Sequence, residues 1–370
     1  MIKSIDIFCT VIDNYGDIGV CWRLAKQMAL EYNIVTRLYV NNIKAFQTII
    51  PEPDDCVEVK IWGQDEFEYI ASDIVIEAFA CQLPQHVITD MAVKKSIWID
   101  LEYLTAENWA ISCHAIPSPH PSVNLTKILF FPGFDDLTGG LIRENDLFSR
   151  KNVFISDKIA QNKWRSKHFI PEINENTLDI SLFCYKTAPI DDFLYGLSNL
   201  GRKFRILRPS PTLNLPQIER KSDKIEIINI PFLSQYDYDY LLWTSDVNFV
   251  RGEDSFVRAQ FAGKPFIWNI YVQEKNAHLI KMAAFLNRIK PFYDESSFES
   301  LANLHDLWNE GGRNKTIDTK DLWALNLQSL IGNISNACAW ADYLVNQSDL
   351  CSRILKFATE QKKTKNLDKD

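Results

Sequence analysis

Several familiar signatures are missing from the 370 residues, and each absence removes a class of function. There is no basic block: 40 Lys and Arg residues are scattered among 48 acidic ones, for a formal net charge of -8. A sequence-general nucleic-acid binder carries a basic stripe, so no nucleic-acid partner is expected. A basic protein partner suits an acidic chain better. The eight cysteines (Cys9, Cys21, Cys56, Cys81, Cys113, Cys184, Cys338 and Cys351) include no C-x-x-C pair and no regular spacing. Several, such as Cys9 and Cys184, lie in apolar strand-like runs, so they read as small buried hydrophobes in a reducing compartment rather than a disulfide framework or zinc site. No apolar run is long enough to span a bilayer, and Met1-Ile2-Lys3-Ser4 opens directly into a strand without a signal-peptide pattern. No membrane partner is expected, and the cytoplasm is the expected address. His114 and His120 flank a Pro-rich loop with no carboxylate or cysteine at ligand spacing, so no metal is expected either. No Walker loop, no G-x-S-x-G elbow and no G-x-G-x-x-G fingerprint is present.

What is present is an ordinary globular composition, 46% hydrophobic and 24% charged, at a length beyond which a single core usually stops growing. Two domains are therefore expected. In the first half, strand-like runs at 4–12, 34–40, 57–62, 73–80, 96–101 and 127–131 alternate with segments that can be helical. The clearest helix is 19–31, where Val20, Leu24 and Met28 share a face. After a polar stretch the alternation restarts, with strands at 179–185, 203–208, 224–230, 246–250 and 265–271 and helices at 191–200, 234–244 and 253–262. Short buried strands alternating with helices indicate parallel sheets with crossover helices. The expected organisation is an α/β domain over 1–150, a linker over 151–178, a second α/β domain over 179–334, and a C-terminal helix with a charged tail over 335–370.

In doubly wound sheets ligands bind beyond the carboxyl ends of the strands, which directs attention to three places. The first is Asp13-Asn14-Tyr15-Gly16-Asp17-Ile18-Gly19, after the first strand. Its glycines permit close approach of a ligand to the backbone, and its carboxylates suit a cationic acceptor or a general base. The same two acids also serve well as a turn residue (Asp13) and a helix cap (Asp17). The second is Arg251-Gly252-Glu253-Asp254-Ser255, where N–H groups at a helix start can cradle a diphosphate, Arg251 can pair with a phosphate and Glu253 can take sugar hydroxyls. Taken alone, that run reads more simply as an acidic first turn complementing the helix dipole, with Arg251 bridging to it. The third is aromatic: Phe183 and Tyr185 end a strand while Gln235, Asp237 and Tyr238 open a helix, a set that serves base stacking or plain core packing.

The run from Asp13 to Ala25, DNYGDIGVCWRLA, resembles the N-terminal signature of the arginine rhamnosyltransferases that modify translation elongation factor P. The run from Arg251 to Gln260, RGEDSFVRAQ, with Ala262-Gly263-Lys264-Pro265-Phe266, resembles a later block of the same family, as do Phe131-Pro132-Gly133-Phe134 and Thr138-Gly139-Gly140-Leu141. The resemblance implies a GT-B fold with two Rossmann-like domains facing across a cleft, the first on the acceptor side and the second on the nucleotide-sugar side. It implies TDP-β-L-rhamnose as co-substrate, inversion at the anomeric carbon, no cofactor or metal, and elongation factor P as the protein partner. Carried over by position, Asp17 is the catalytic carboxylate, Asp13 its companion and Glu253 the second essential acid. Tyr15, Gly16, Gly19, Arg251, Asp254 and Ser255 are expected around the donor, with Phe183, Tyr185, Gln235 and Tyr238 around its base. Tyr238 stands where the family pattern leads one to expect phenylalanine, so the ring is kept and its hydroxyl needs a partner. Competing readings are a GT-B enzyme using a UDP-sugar with a glycan or lipid acceptor, and a non-catalytic protein-binding module on the same fold. The retained acids Asp13, Asp17 and Glu253 weigh against the latter.

Overall fold

The structure is a computed structural model that describes residues 1–11, 15–63, 67–209, 223–310 and 320–367. The chain forms two compact units, residues 1–145 with 347–370 and residues 146–346.

In the first unit the order is β1 (Ser4–Cys9), α1 (Tyr15–Tyr32), β2 (Val35–Val40), α2 (Ile43–Ile49), β3 (Val57–Ile61), β4 (Ile74–Ala78), α3 (Gln85–Lys94), β5 (Ile97–Leu101), α4 (Trp109–Cys113), β6 (Pro117–Pro119) and β7 (Thr126–Phe130). The sheet runs β3-β2-β1-β4-β5-β7-β6, parallel throughout except for the edge strand β6. Alternation along β1 separates two cores. Ile5, Ile7 and Cys9 face α1, whereas Phe8 joins Tyr39, Trp62, Tyr69 and Val87 on the other side. Both faces are covered, which is why β4 and β5 read as continuous buried runs.

In the second unit the order is α5 (Leu147–Ser156), α6 (Lys158–Lys167), β8 (Thr177–Leu182), α7 (Ile190–Ser198), β9 (Lys203–Pro209), β10 (Ile225–Ile230), α8 (Gln235–Thr244), β11 (Val247–Arg251), α9 (Asp254–Ala262), β12 (Phe266–Asn269), α10 (Ala277–Ile289), α11 (Glu295–Glu310), α12 (Lys320–Gly332) and α13 (Ile334–Val345). Its sheet runs β10-β9-β8-β11-β12 and is all parallel. The two sheets thus share one pattern, in which strand order reverses beside the first strand, between β1 and β4 and again between β8 and β11. A doubly wound sheet opens its ligand crevice at that reversal.

Each first strand also carries a buried carboxylate at its third position, in register with an arginine on the neighbouring strand. Asp6 pairs with Arg37, whose Nε and Nη2 donate to Oδ1 and Oδ2 at 2.6 and 2.8 Å. Asp6 further accepts from the Tyr69 hydroxyl and from Ser72. Asp179 pairs with Arg205 at 2.6 and 3.0 Å, and Arg165 adds a bond to Oδ2 at 2.6 Å.

Arg165 lies on α6, inside the stretch expected to be a linker. Residues 151–178 instead hold most of α5, all of α6 and the start of β8. Asp157 caps α6 by accepting from the N–H groups of Ile159 and Ala160. One of the charges that make the stretch read as polar is consumed in a buried ion pair. The C-terminal region also divides differently from expectation: α13 belongs to the second unit, whereas the last helix, α14 (Leu350–Leu367), belongs to the first. There Leu350, Cys351, Ile354 and Ala358 enter the same core as Ile18, Cys21 and Leu24 of α1. Among the described residues no helix is long and apolar enough to cross a membrane.

The α8 and α9 helices are locked by a bidentate ion pair, Arg258 Nε and Nη2 to Asp239 Oδ1 and Oδ2 at 2.9 and 2.6 Å, with both side chains 1% exposed. Breaking one side strands a buried charge. Arg258→Met is expected to lower stability by about 3–5 kcal/mol in urea unfolding, and Arg258→Met combined with Asp239→Leu to recover most of that loss.

Candidate functional site

The loop from β1 leads into the first turn of α1. Asp13 lies outside the described residues, and of Tyr15 only its place at the start of α1 is described. Among the described residues nothing lies within 4 Å of where a Cβ on Gly16 would stand. Gly19 is buried within the helix. Asp17 is the third residue of α1, in a first turn where a carboxylate also complements the helix dipole. Its carboxylate is half-buried and accepts from the Tyr103 hydroxyl at 3.4 Å. Burial pushes its pKa up from 3.8 to about 6, with the Tyr103 bond opposing part of the rise. That value suits a group that must accept a proton near neutrality better than an ordinary aspartate does.

Tyr103 and its stacking partner Phe79 were not singled out from the sequence. They follow the carboxyl ends of β5 and β4, so extending the strand-end argument to every strand of the first sheet would have reached them.

The second unit gathers most of the remaining expected residues at the carboxyl ends of β8 and β11. Arg251 closes β11, and its guanidinium carbon lies 4.2 Å from the Phe183 ring centre and 4.8 Å from that of Tyr185. Its Nη1 donates to the Cys184 carbonyl at 3.0 Å. The two aromatic residues expected beneath a base thus cradle a cation here. The β8 end is fixed by Phe183 N–H to the Phe249 carbonyl and by Tyr185 N–H to Asn269 Oδ1 at 2.7 Å.

Gly252 then turns the chain with φ of 69°, a left-handed angle that favours glycine. Its carbonyl accepts from the Trp268 indole at 2.9 Å, and Trp268 stacks on Phe256 with ring centres 3.9 Å apart. This anchor fixes how α9 begins. Glu253 occupies the cap position of α9 without using its side chain as a cap. Asp254 accepts from Gln235 Nε2 at 3.1 Å, tying the α8 and α9 starts together. Tyr238 packs edge-on to Phe183 at 6.0 Å, and its hydroxyl is buried beside Ser255 without a bond of good geometry. The substituted ring therefore fits, and its extra oxygen gains little. Phe183, Tyr185, Gln235, Tyr238, Arg251, Asp254 and Ser255 form one cluster, with Glu253 on the same turn. The acidic first turn also complements the α9 dipole.

Among the described residues no group of three or more His, Cys, Asp or Glu side chains is placed to hold a metal. Arg251 and the N-terminus of α9 are elements that suit an anion directly.

Two doubly wound sheets, one in each unit, are the architecture of the GT-B glycosyltransferases. A spinosyn rhamnosyltransferase shares this fold at 9% identity, with a TM-score of 0.54 over 97% of this chain and 100% of that one. The likeness becomes specific in a solved structure described as the structural basis for EarP-mediated arginine glycosylation of translation elongation factor EF-P. That structure is 26% identical, with a TM-score of 0.68 over 96% of this chain and 99% of that one. The protein-arginine rhamnosyltransferase of Pseudomonas aeruginosa is 38% identical, covering 96% of this chain and 98% of the relative. That of Shewanella oneidensis is 35% identical, covering 95% and 96%. Residues 5–359 match the family described as elongation factor P (EF-P) rhamnosyltransferase EarP, and the chain belongs to that family.

The raised Asp17 pKa carries a stability consequence. The folded chain holds this proton more tightly than the unfolded chain, so the stabilisation is present below pH 3.8 and is lost as pH rises through about 6. At neutral pH and above, Asp17→Asn is expected to raise the unfolding free energy by about 1–3 kcal/mol, with the gap to wild type closing toward pH 4. Thermal denaturation across that range measures it.

Proposed function

We propose that this chain transfers L-rhamnose from TDP-β-L-rhamnose to an arginine side-chain nitrogen of elongation factor P, with inversion at the anomeric carbon. Family membership over nearly the whole chain is the observation that carries this reading. The chemistry of the two strand-end clusters supports it. The cytoplasm is the proposed address, because the acceptor is a translation factor.

A guanidinium has a pKa above about 12 and is a poor nucleophile while its charge stands. The first unit offers Asp17 as counter-charge and proton acceptor, with Asp13 proposed as its companion. A carboxylate with a pKa near 6 remains too weak a base to deprotonate a free guanidinium beforehand. Proton transfer therefore accompanies or follows attack: the nitrogen–C1 bond forms, the C1–phosphate oxygen bond breaks, and the released proton passes to Asp17.

The second unit handles the leaving group. Arg251 and the N–H groups of Asp254, Ser255 and Phe256 are proposed to take the diphosphate, whose developing charge the α9 dipole favours. Gln235, Tyr238 and the Phe183–Tyr185 pair are proposed around the thymine. Glu253 is proposed as the second acid, placed to take a sugar hydroxyl. Tyr15, Gly16 and Gly19 are proposed to let the sugar approach the α1 backbone. Trp268 and the Arg258–Asp239 pair hold these groups in position.

Intact-mass spectrometry of elongation factor P incubated with this protein and TDP-rhamnose tests the reaction. A gain of one deoxyhexose, located on arginine by fragmentation, is expected, and an unmodified acceptor sinks the reading. Calorimetry should show TDP binding more tightly than UDP. In turnover, kcat should fall below an acid limb near pH 6, set by Asp17. Asp17→Asn should cost on the order of 10³-fold or more in kcat while sparing TDP affinity.

A further inference from the structure

The turn that follows β4 has unusual backbone. Phe79, Ala80 and Gln82 lie in the left-handed region, with φ of 56, 52 and 57°, where residues with a Cβ are disfavoured. Such geometry persists only where the surroundings over-determine it, and here they do. Phe79 N–H donates to the Leu101 carbonyl at 2.7 Å. Gln82 N–H donates to Glu77 Oε1 at 3.0 Å, and the Cys81 thiol donates to the Phe8 carbonyl at 3.4 Å. Glu77 is buried in β4, where its Oε2 accepts from the Trp98 indole at 3.1 Å and lies 3.5 Å from the Lys127 ammonium. Lys127 in turn reaches Asp100 at 2.7 Å. The strained turn is therefore moored to a buried carboxylate.

What the mooring places is the Phe79 ring. It stacks on Tyr103, with centres 4.5 Å apart and planes 20° apart, and the Tyr103 hydroxyl donates to Asp17 Oδ2. Tyr103 is held from behind as well, through Glu102 N–H to the Phe130 carbonyl and Thr105 N–H to the Pro132 carbonyl. A contact chain thus runs from Glu77 through the turn and two rings to the carboxylate.

We propose that Phe79 and Tyr103 are positioning residues for Asp17: the stack fixes the Tyr103 ring, and its hydroxyl fixes the carboxylate with Oδ2 occupied and Oδ1 left for the acceptor's proton. This rests on the reading of Asp17 as the catalytic base. Among the described residues, the titratable groups that interact with Asp17 are Tyr103, from the loop after β5, and Cys21, one turn along α1. Cys21 meets the thiols of Cys9, at the end of β1, and Cys81, in the turn. A hydrogen bond with Cys9 and burial push the Cys21 thiol up, and burial pushes up that of Cys81, so both stay neutral while Asp17 titrates.

Carboxyl-carbon NMR of the full chain labelled at aspartate reads the Asp17 titration without requiring turnover, the resonance being assigned by its loss in Asp17→Asn. Removing a donor disfavours the carboxylate, so Tyr103→Phe should move the midpoint up by about half to one pH unit. Phe79→Leu should move it in the same direction although the hydroxyl remains, and Phe79→Tyr, which keeps the ring, should restore it. In sugar transfer, Tyr103→Phe and Phe79→Leu should lower kcat about tenfold with donor KM unchanged. Unmoved midpoints in both variants overturn the proposal whether or not the protein transfers sugar, and a shift in Tyr103→Phe alone removes Phe79 from it. Shifted midpoints in a protein that does not transfer rhamnose overturn the assigned reaction instead. Tyr103→Phe deletes one oxygen from a ring that is 40% exposed, so it decides alone if Phe79→Leu does not fold.

Discussion

Each sheet is organised around one buried carboxylate on its first strand. Asp6 and Asp179 sit at matching places in β1 and β8, and each is answered in register by an arginine on the next strand. A one-residue slip of β2 or β9 would turn that arginine to the other face and leave the carboxylate uncompensated, so the pair specifies register more sharply than aliphatic side chains do. Register in turn sets where the strands end. The ends of β1 and β8 lie beside the reversal of strand order, where a doubly wound sheet opens its ligand crevice. Ion pairing near one end of the sheet thus governs chemistry at the other.

The two clusters have opposite electrostatic characters. In the first unit a half-buried acid is kept reluctant to ionise, beside a hydroxyl that tempers the effect. In the second an arginine lies between two rings at the start of a helix, and burial lowers its pKa without threatening its charge. One suits a cationic acceptor, and the other an anionic leaving group. Both rest on rigid mooring. The Arg258–Asp239 pair and the Trp268 bond to Gly252 do this in the second unit, and the Glu77 turn does it in the first.

Most strands were legible because each is a short apolar run buried on both faces, and their ends differ from the expected ones by a few residues. The Arg251–Ser255 cluster was legible because glycine and an acidic helix start mark a strand-to-helix turn. Other features were hidden. The α5 and α6 helices read as linker because their charges look solvated, and only the fold shows Arg165 buried against Asp179. Tyr103 and Phe79 are rings in a chain that is 12% aromatic, and nothing local distinguishes a ring beside a carboxylate from one in a core. The return of α14 to the first unit is a long-range contact with no signature in composition.

That return orders the birth of the protein. The first core includes Cys351, Ile354 and Ala358 packed with Ile18, Cys21 and Leu24, so its wall stays open until residues 350–358 have been added to the growing chain. The second unit is contiguous in sequence and can close sooner. The unit that holds α1 is thus completed only after the unit inserted into it has been made, and until then the apolar side of α1 lacks its α14 partner.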